Sequence, residues 1–124
     1  MAVSSFRDLI VWQKSIELVS SVYSITKEFP RDELWGLTAQ VRRAAISIPS
    51  NIAEGQGRNS TRDFLKFLSI ARGSLQEVET QLLIAVRLGY AAPDDTCALN
   101  KQMDEIGRLL RGLTNALKRK SDDH

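Results

Sequence analysis

Apolar residues recur along the chain in alternating steps of three and four, the spacing of a helix stripe that is buried on one side. In the first such segment Leu9, Trp12, Ile16, Val19, Tyr23 and Thr26 keep the step, flanked by a second row of Leu18, Val22, Ile25 and Phe29. Phe29-Pro30 stops it, because the residue before a proline is pushed out of the helical region. In the second, Leu34, Leu37, Val41, Ala44, Ile48 and Ile52 hold the stripe up to Gly55 and Gly57, residues that can take the left-handed conformation at a helix end. In the third, Phe64, Leu68, Ala71, Leu75, Val78, Leu82 and Ala85 run without a slip to Gly89. The fourth opens at Pro93, with Asp94 and Asp95 where negative charge suits the exposed amides, and continues through Met103, Ile106, Leu110, Leu113 and Leu117. The pattern predicts helices near residues 5–29, 32–56, 61–88 and 93–119.

Links of a few residues near Pro30, Gly57 and Pro93 turn each helix back on the one before it. The expected fold is all-α: one domain over residues 1–124, an antiparallel up-down-up-down four-helix bundle. Pro49 lies inside the second stripe and deprives the carbonyl of Ala45 of a donor. Because the apolar step continues to Ile52, a kink in helix 2 is expected there, with Ser47 and Ser50 available to the freed groups. The two apolar rows of the first helix exceed the roughly 100° arc that faces one core, which favours a subunit interface over a broad face in a thin-walled bundle.

Composition narrows the chemistry. The 124 residues are 43% apolar, 26% charged and 6% aromatic, with Gly 7 and Pro 3, too few turn formers for a β-sandwich or barrel. No apolar run reaches the roughly 18 residues of a membrane span, and Met1 to Phe6 is too short and polar to begin a secretory signal, so a cytoplasmic protein without membrane contact is expected. The one cysteine is Cys97 and the one histidine is His124. Metal sites and activated nucleophiles lose their usual residues, so no enzyme activity, metal or cofactor is expected. Glu77 with Glu79, Asp94 with Asp95, and Asp104 with Glu105 do not face each other on a helix, and read as solvated charge. Cys97 reads as a semi-buried filler, and Trp12 and Trp35 as core or interface anchors.

A polar row is less ordinary. Gln40, Arg43, Ser47, Asn51, Glu54 and Arg58 keep the three-four step beside the apolar stripe, and Ser74, Glu77 and Gln81 form a matching row on the third helix. A structural network linking Gln40, Arg43, Ser47, Asn51, Glu54, Ser74 and Glu77, centred on a buried Arg43–Glu77 pair, is preferred to a ligand site. Charge is also uneven. Residues 42–72 carry Arg42, Arg43, Arg58, Arg62, Lys66 and Arg72 against Glu54 and Asp63, and residues 108–120 carry Arg108, Arg111, Lys118, Arg119 and Lys120 with no acid, within a net charge of +2. The two clusters are expected at opposite ends of the bundle, giving two separate surfaces able to attract phosphate backbones.

The stretch from Arg43 through Ser47, Ile48-Pro49-Ser50-Asn51-Ile52-Ala53-Glu54-Gly55 to Arg58, preceded by Leu37-Thr38 and Gln40, resembles the signature of the 23S rRNA intervening-sequence protein family. Phe64, Phe67-Leu68, Ala71, Gly73-Ser74-Leu75 and Glu77 fit the third helix of that family. The resemblance covers residues 6 to 90. It implies a bacterial, cytoplasmic four-helix bundle assembled as a ring, typically a homopentamer, without established enzymatic activity. It is more distantly similar to the accessory variability determinant of diversity-generating retroelements, a basic ring that binds nucleic acid.

Two functions follow as expectations. One is a nucleic-acid or ribonucleoprotein adaptor that holds RNA or DNA phosphates through Arg58, Arg62, Lys66, Arg108, Arg111, Lys118, Arg119 and Lys120. The other is a ring-forming scaffold whose partner is another protein.

Overall fold

The computed structural model describes residues 5–122, and among them every regular element is helical. The four long helices are α1 (Ile10–Thr26), α2 (Leu37–Gln56), α3 (Thr61–Arg87) and α4 (Pro93–Asp122). Two single 3-10 turns, Phe6–Asp8 and Arg31–Glu33, precede α1 and α2. Residues 1–4 and 123–124, with His124 among them, lie outside the described residues.

The first two helices start later than their apolar spacing suggests. Ser5 accepts a hydrogen bond from the Arg7 amide at 3.2 Å and starts the 3-10 turn, and Leu9 then takes an extended conformation that separates this turn from α1. Before α2 the carboxylate of Glu33 accepts the Leu37 amide at 3.1 Å, supplying the cap that Gly36 has no side chain to make. Leu34 and Trp35 therefore fall outside the helix and are exposed, Trp35 at 88%. α3 begins where Ser60 Oγ accepts the Asp63 amide at 3.1 Å. It ends at Gly89, the single described residue with positive φ, where the Tyr90 amide reaches back to the Ala85 carbonyl at 2.9 Å.

Residue pairs fix how the helices meet. Ser47 bonds to Ser74, while Gly55, farther along α2, packs on Phe64 and Phe67, earlier in α3. Arg42 donates to Thr26 Oγ1 at 2.8 Å and lies over the Tyr23 ring at 4.5 Å, joining the start of α2 to the end of α1. Lys14 pairs with Glu105 at 3.7 Å across α1 and α4, and Leu75 on α3 lies against Gly107 on α4. Each helix thus touches its sequence neighbours, and α1 closes on α4.

The core contains the α2 and α3 stripes from Val41 to Ile52 and from Leu68 to Ala85, together with Met103, Ile106 and Leu110 of α4. In α1 the buried row is Val11, Ser15, Leu18, Val22 and Thr26. The other row, Trp12, Ile16, Val19 and Tyr23, is left half-buried or exposed. Pro49 is buried within a continuous α2. Ser47 turns toward Ser74 and Ser50 is exposed, so the structure gives neither of them a bond to the Ala45 carbonyl. Gly55 and Gly57 do not take the left-handed conformation: α2 passes through Gly55, and Gly57 is right-handed with φ −79°.

Candidate nucleic-acid interface

Basic residues of α3 and α4 come together along one groove, which runs from the middle of both helices toward the last turns of α4. α3 and α4 are of similar length, 27 and 30 residues, and Leu75 meets Gly107 partway along both. The last turns of α4 therefore lie beside the first turns of α3, next to the 57–60 link. Placing the two clusters at opposite ends was incorrect for this reason. Between the helices runs a groove of about 360 Å³ whose walls carry Arg72 from α3 and Arg111 and Lys118 from α4, above Leu65, Leu68 and Leu110. Among the described residues Glu79 is the one acid lining it.

Arg62, Lys66, Arg108, Arg119 and Lys120 are exposed on the same two helices, and no ion pair involves them or Arg72, Arg111 and Lys118 among the described residues. Arg58 differs from the rest. Its guanidinium pairs with Glu54 at 2.7 Å and lies 4.9 Å over the Phe67 ring, so a phosphate would compete with a carboxylate there. Arg72, counted in the first basic cluster, was left out of the phosphate contacts chosen from sequence. Only the level at which α4 returns past α3 shows that it faces Arg111.

The polar row divides into parts. Asn51 Nδ2 donates to Ser47 Oγ and to the Ser47 carbonyl, each at 2.8 Å, and Ser47 and Ser74 share a hydrogen bond of 2.8 Å between α2 and α3. Glu54 belongs to Arg58 instead. The expected Arg43–Glu77 ion pair does not form: both side chains are exposed, and with Gln40 and Gln81 they line a second open groove. Across the α1–α2 surface a third groove, of about 290 Å³, is lined by Trp12, Ile16, Val19, Ile46, Pro49 and Ala53. Trp12 leans on Phe6 at 5.2 Å, whereas Trp35 is not a core residue.

Cys97 is exposed and not the semi-buried filler its position suggested. Among the described residues no cluster of His, Cys, Asp and Glu could hold a metal ion, and no helix is long and apolar enough to cross a membrane. The titratable group with a distinct local environment is Glu33. The Leu37 amide and then the Tyr90 hydroxyl, at 2.9 Å, hold its carboxyl below the usual range, and the same hydrogen bond to Glu33 raises the Tyr90 hydroxyl. This contact ties the entry of α2 to the turn after α3.

No curated protein matches the chain. A crystal structure at 1.70 Å of a protein of unknown function from the S23 ribosomal protein family of Bacteroides thetaiotaomicron superposes on it with a TM-score of 0.78 and 26% sequence identity, covering 85% of this chain and 98% of that one. The model of one family, the 23S rRNA-intervening sequence proteins, matches residues 7–112. With the match spanning α1 through most of α4, the chain belongs to the 23S rRNA-intervening sequence protein family.

Proposed function

We propose that this protein is a non-enzymatic, cytoplasmic, oligomeric adaptor that binds RNA or DNA through the phosphate backbone. The observation that carries the reading is the α3–α4 groove, where Arg72, Arg111 and Lys118 stand together with no ion-pair partner among the described residues, while Arg62, Lys66, Arg108, Arg119 and Lys120 are exposed on the same two helices. Solvated cations gathered on one surface release counterions when they meet a phosphate backbone, whatever the base sequence. Among the described residues no aromatic ring lines the groove, so base stacking contributes little.

The same reading takes the fold as an up-down-up-down bundle bent at Pro49 and the assembly as a ring, a homopentamer by family resemblance. Support for self-association comes from the half-exposed row Trp12, Ile16, Val19 and Tyr23 on α1, which continues onto Ile46 and Pro49 of α2. That apolar strip also favours the alternative, a ring-forming scaffold for another protein with no nucleic-acid contact. A triple charge reversal, Arg72, Arg111 and Lys118 to Glu, separates the two. Measured by fluorescence anisotropy with labelled RNA and DNA, the variant should lose binding to both alike. If the parent binds neither at low salt, the scaffold is the better reading.

A further inference from the structure

We propose that the open groove between α2 and α3 is a binding site for a small zwitterion of the amino-acid type, a molecule with a carboxylate at one end and an ammonium at the other. The groove has a volume of about 360 Å³, at the small end of the range for ligand pockets. On α3 it is lined by Ser74, Glu77 and Gln81, on the side of the helix away from Arg72 and the basic groove. It is a separate site, and it stands or falls independently of nucleic-acid binding.

Its hydrogen-bonding inventory is unfilled on both sides. Arg43 and Glu77 contribute one cation and one anion to the same groove, and neither has an ion-pair partner among the described residues. Two serine hydroxyls hold two hydrogens. The Ser47–Ser74 bond uses one, and the Asn51 amide donates to Ser47 without taking any, so one hydroxyl hydrogen is left without an acceptor. Elsewhere in the helices hydroxyls donate to the carbonyl four residues back, as Ser15, Ser21, Thr26 and Thr80 do. Ser47 and Ser74 instead face each other across the groove. On the acceptor side the exposed group is the Glu77 carboxylate; Gln81 Oε1 also lacks a hydrogen-bond partner but is shut away from solvent and so from a ligand in the groove.

Two donors, Arg43 and a serine hydroxyl, thus stand with one exposed anionic acceptor, the Glu77 carboxylate. A carboxylate satisfies the two donors, and an ammonium satisfies Glu77. A purely anionic or purely cationic molecule leaves part of the set unused and meets one like charge.

The probes are the common free L-amino acids, presented one at a time to the intact protein at neutral pH and fixed ionic strength. Saturation-transfer difference NMR, which tolerates a large assembly, detects binding, and calorimetry gives the affinity. At least one amino acid should bind saturably, with acetate and methylammonium, its two halves, each at least about tenfold weaker. Arg43→Gln and Glu77→Gln should each weaken it by about tenfold, the effect of one charge-assisted contact. Both residues are exposed, and a circular-dichroism melt matching the parent verifies that each variant is folded. Arg43→Lys, which keeps the charge, should retain part of the affinity. The proposal is overturned if no amino acid binds, if acetate binds as tightly as the zwitterion, or if binding survives both charge-removing variants unchanged.

Discussion

Gly55 marks the closest approach of α2 to α3. A Cβ there would stand 2.8 Å from Phe67 Cβ and 2.9 Å from Phe64 Cδ1, and the first of these is fixed to the backbone and cannot swing away. Gly55→Ala should therefore destabilise the fold by about 1–3 kcal/mol through overpacking, although alanine is the better helix former. Gly112, with open space around it on α4, is the control: Gly112→Ala should raise stability by up to about 1 kcal/mol. Paired denaturant titrations check both, and equal effects at the two sites would show that helix propensity and not crowding decides. Glu33 gives a pH-dependent counterpart. Its carboxyl is held low in the folded protein by the Leu37 amide first and the Tyr90 hydroxyl second. Its stabilising effect is therefore complete above the unfolded value of about 4.3 and is lost as pH falls through the lower folded value. Glu33→Gln should melt below the parent at pH 7, with the gap closing as the pH is lowered from about 5 to about 3. A gap that stays constant across that range would remove the ionised carboxylate from the explanation.

The helices differ in how far their sequences reveal them. In α3 one apolar stripe keeps its step without a slip, so from Leu68 to Ala85 the spacing names the buried residues directly, while Ile70, Leu83 and Ile84 fall off the stripe and are exposed. In α1 both rows are apolar, and periodicity cannot choose between them. Neighbours decide, and they bury the row with Val11, Leu18 and Val22 while Ile16 and Tyr23 stay outside. Ser15 and Thr26 are buried in that row because each hydroxyl returns a hydrogen bond to its own helix, at 2.7 Å, which no hydropathy pattern shows. Leu34 continues the stripe of α2 on paper, yet the helix begins only at Leu37, after a cap made by the distant end of a glutamate side chain. The α2–α3 face was legible as polar but not in its pairing. With Ser47 level with Ser74, Arg43 comes within one residue of the level of Glu77, so it is their exposure to solvent and not the register of the helices that leaves the two charges unpaired. The face is consequently not held by an ion pair, and Glu77→Ala should change stability by less than about 0.5 kcal/mol. A thermal melt lowered by much more than that would show a buried charge contact.

The arrangement of the whole chain decides what the charges can do. The sequence shows two basic clusters in separate segments, but only the return of α4 along α3 brings Arg111 and Lys118 to the groove that also holds Arg72. The proposed self-association rests on a similar convergence, since the outer row of α1 meets Ile46 and Pro49 of α2 in one apolar strip. Light scattering at micromolar concentration should give a multiple of 13.9 kDa, five-fold for the proposed ring, and Ile16→Glu should shift the mass downward. A parent that scatters as a monomer would leave the strip to another partner.

Salt dependence bears most directly on the central proposal, that the basic groove holds phosphate backbones. Anisotropy titrations of one RNA and one DNA of equal length, repeated between about 50 and 200 mM salt, should show affinities that fall together. About four phosphate contacts correspond to a loss of roughly 100-fold over that interval. Absence of binding at the lowest salt, or an affinity that changes little across the range, would contradict the proposal.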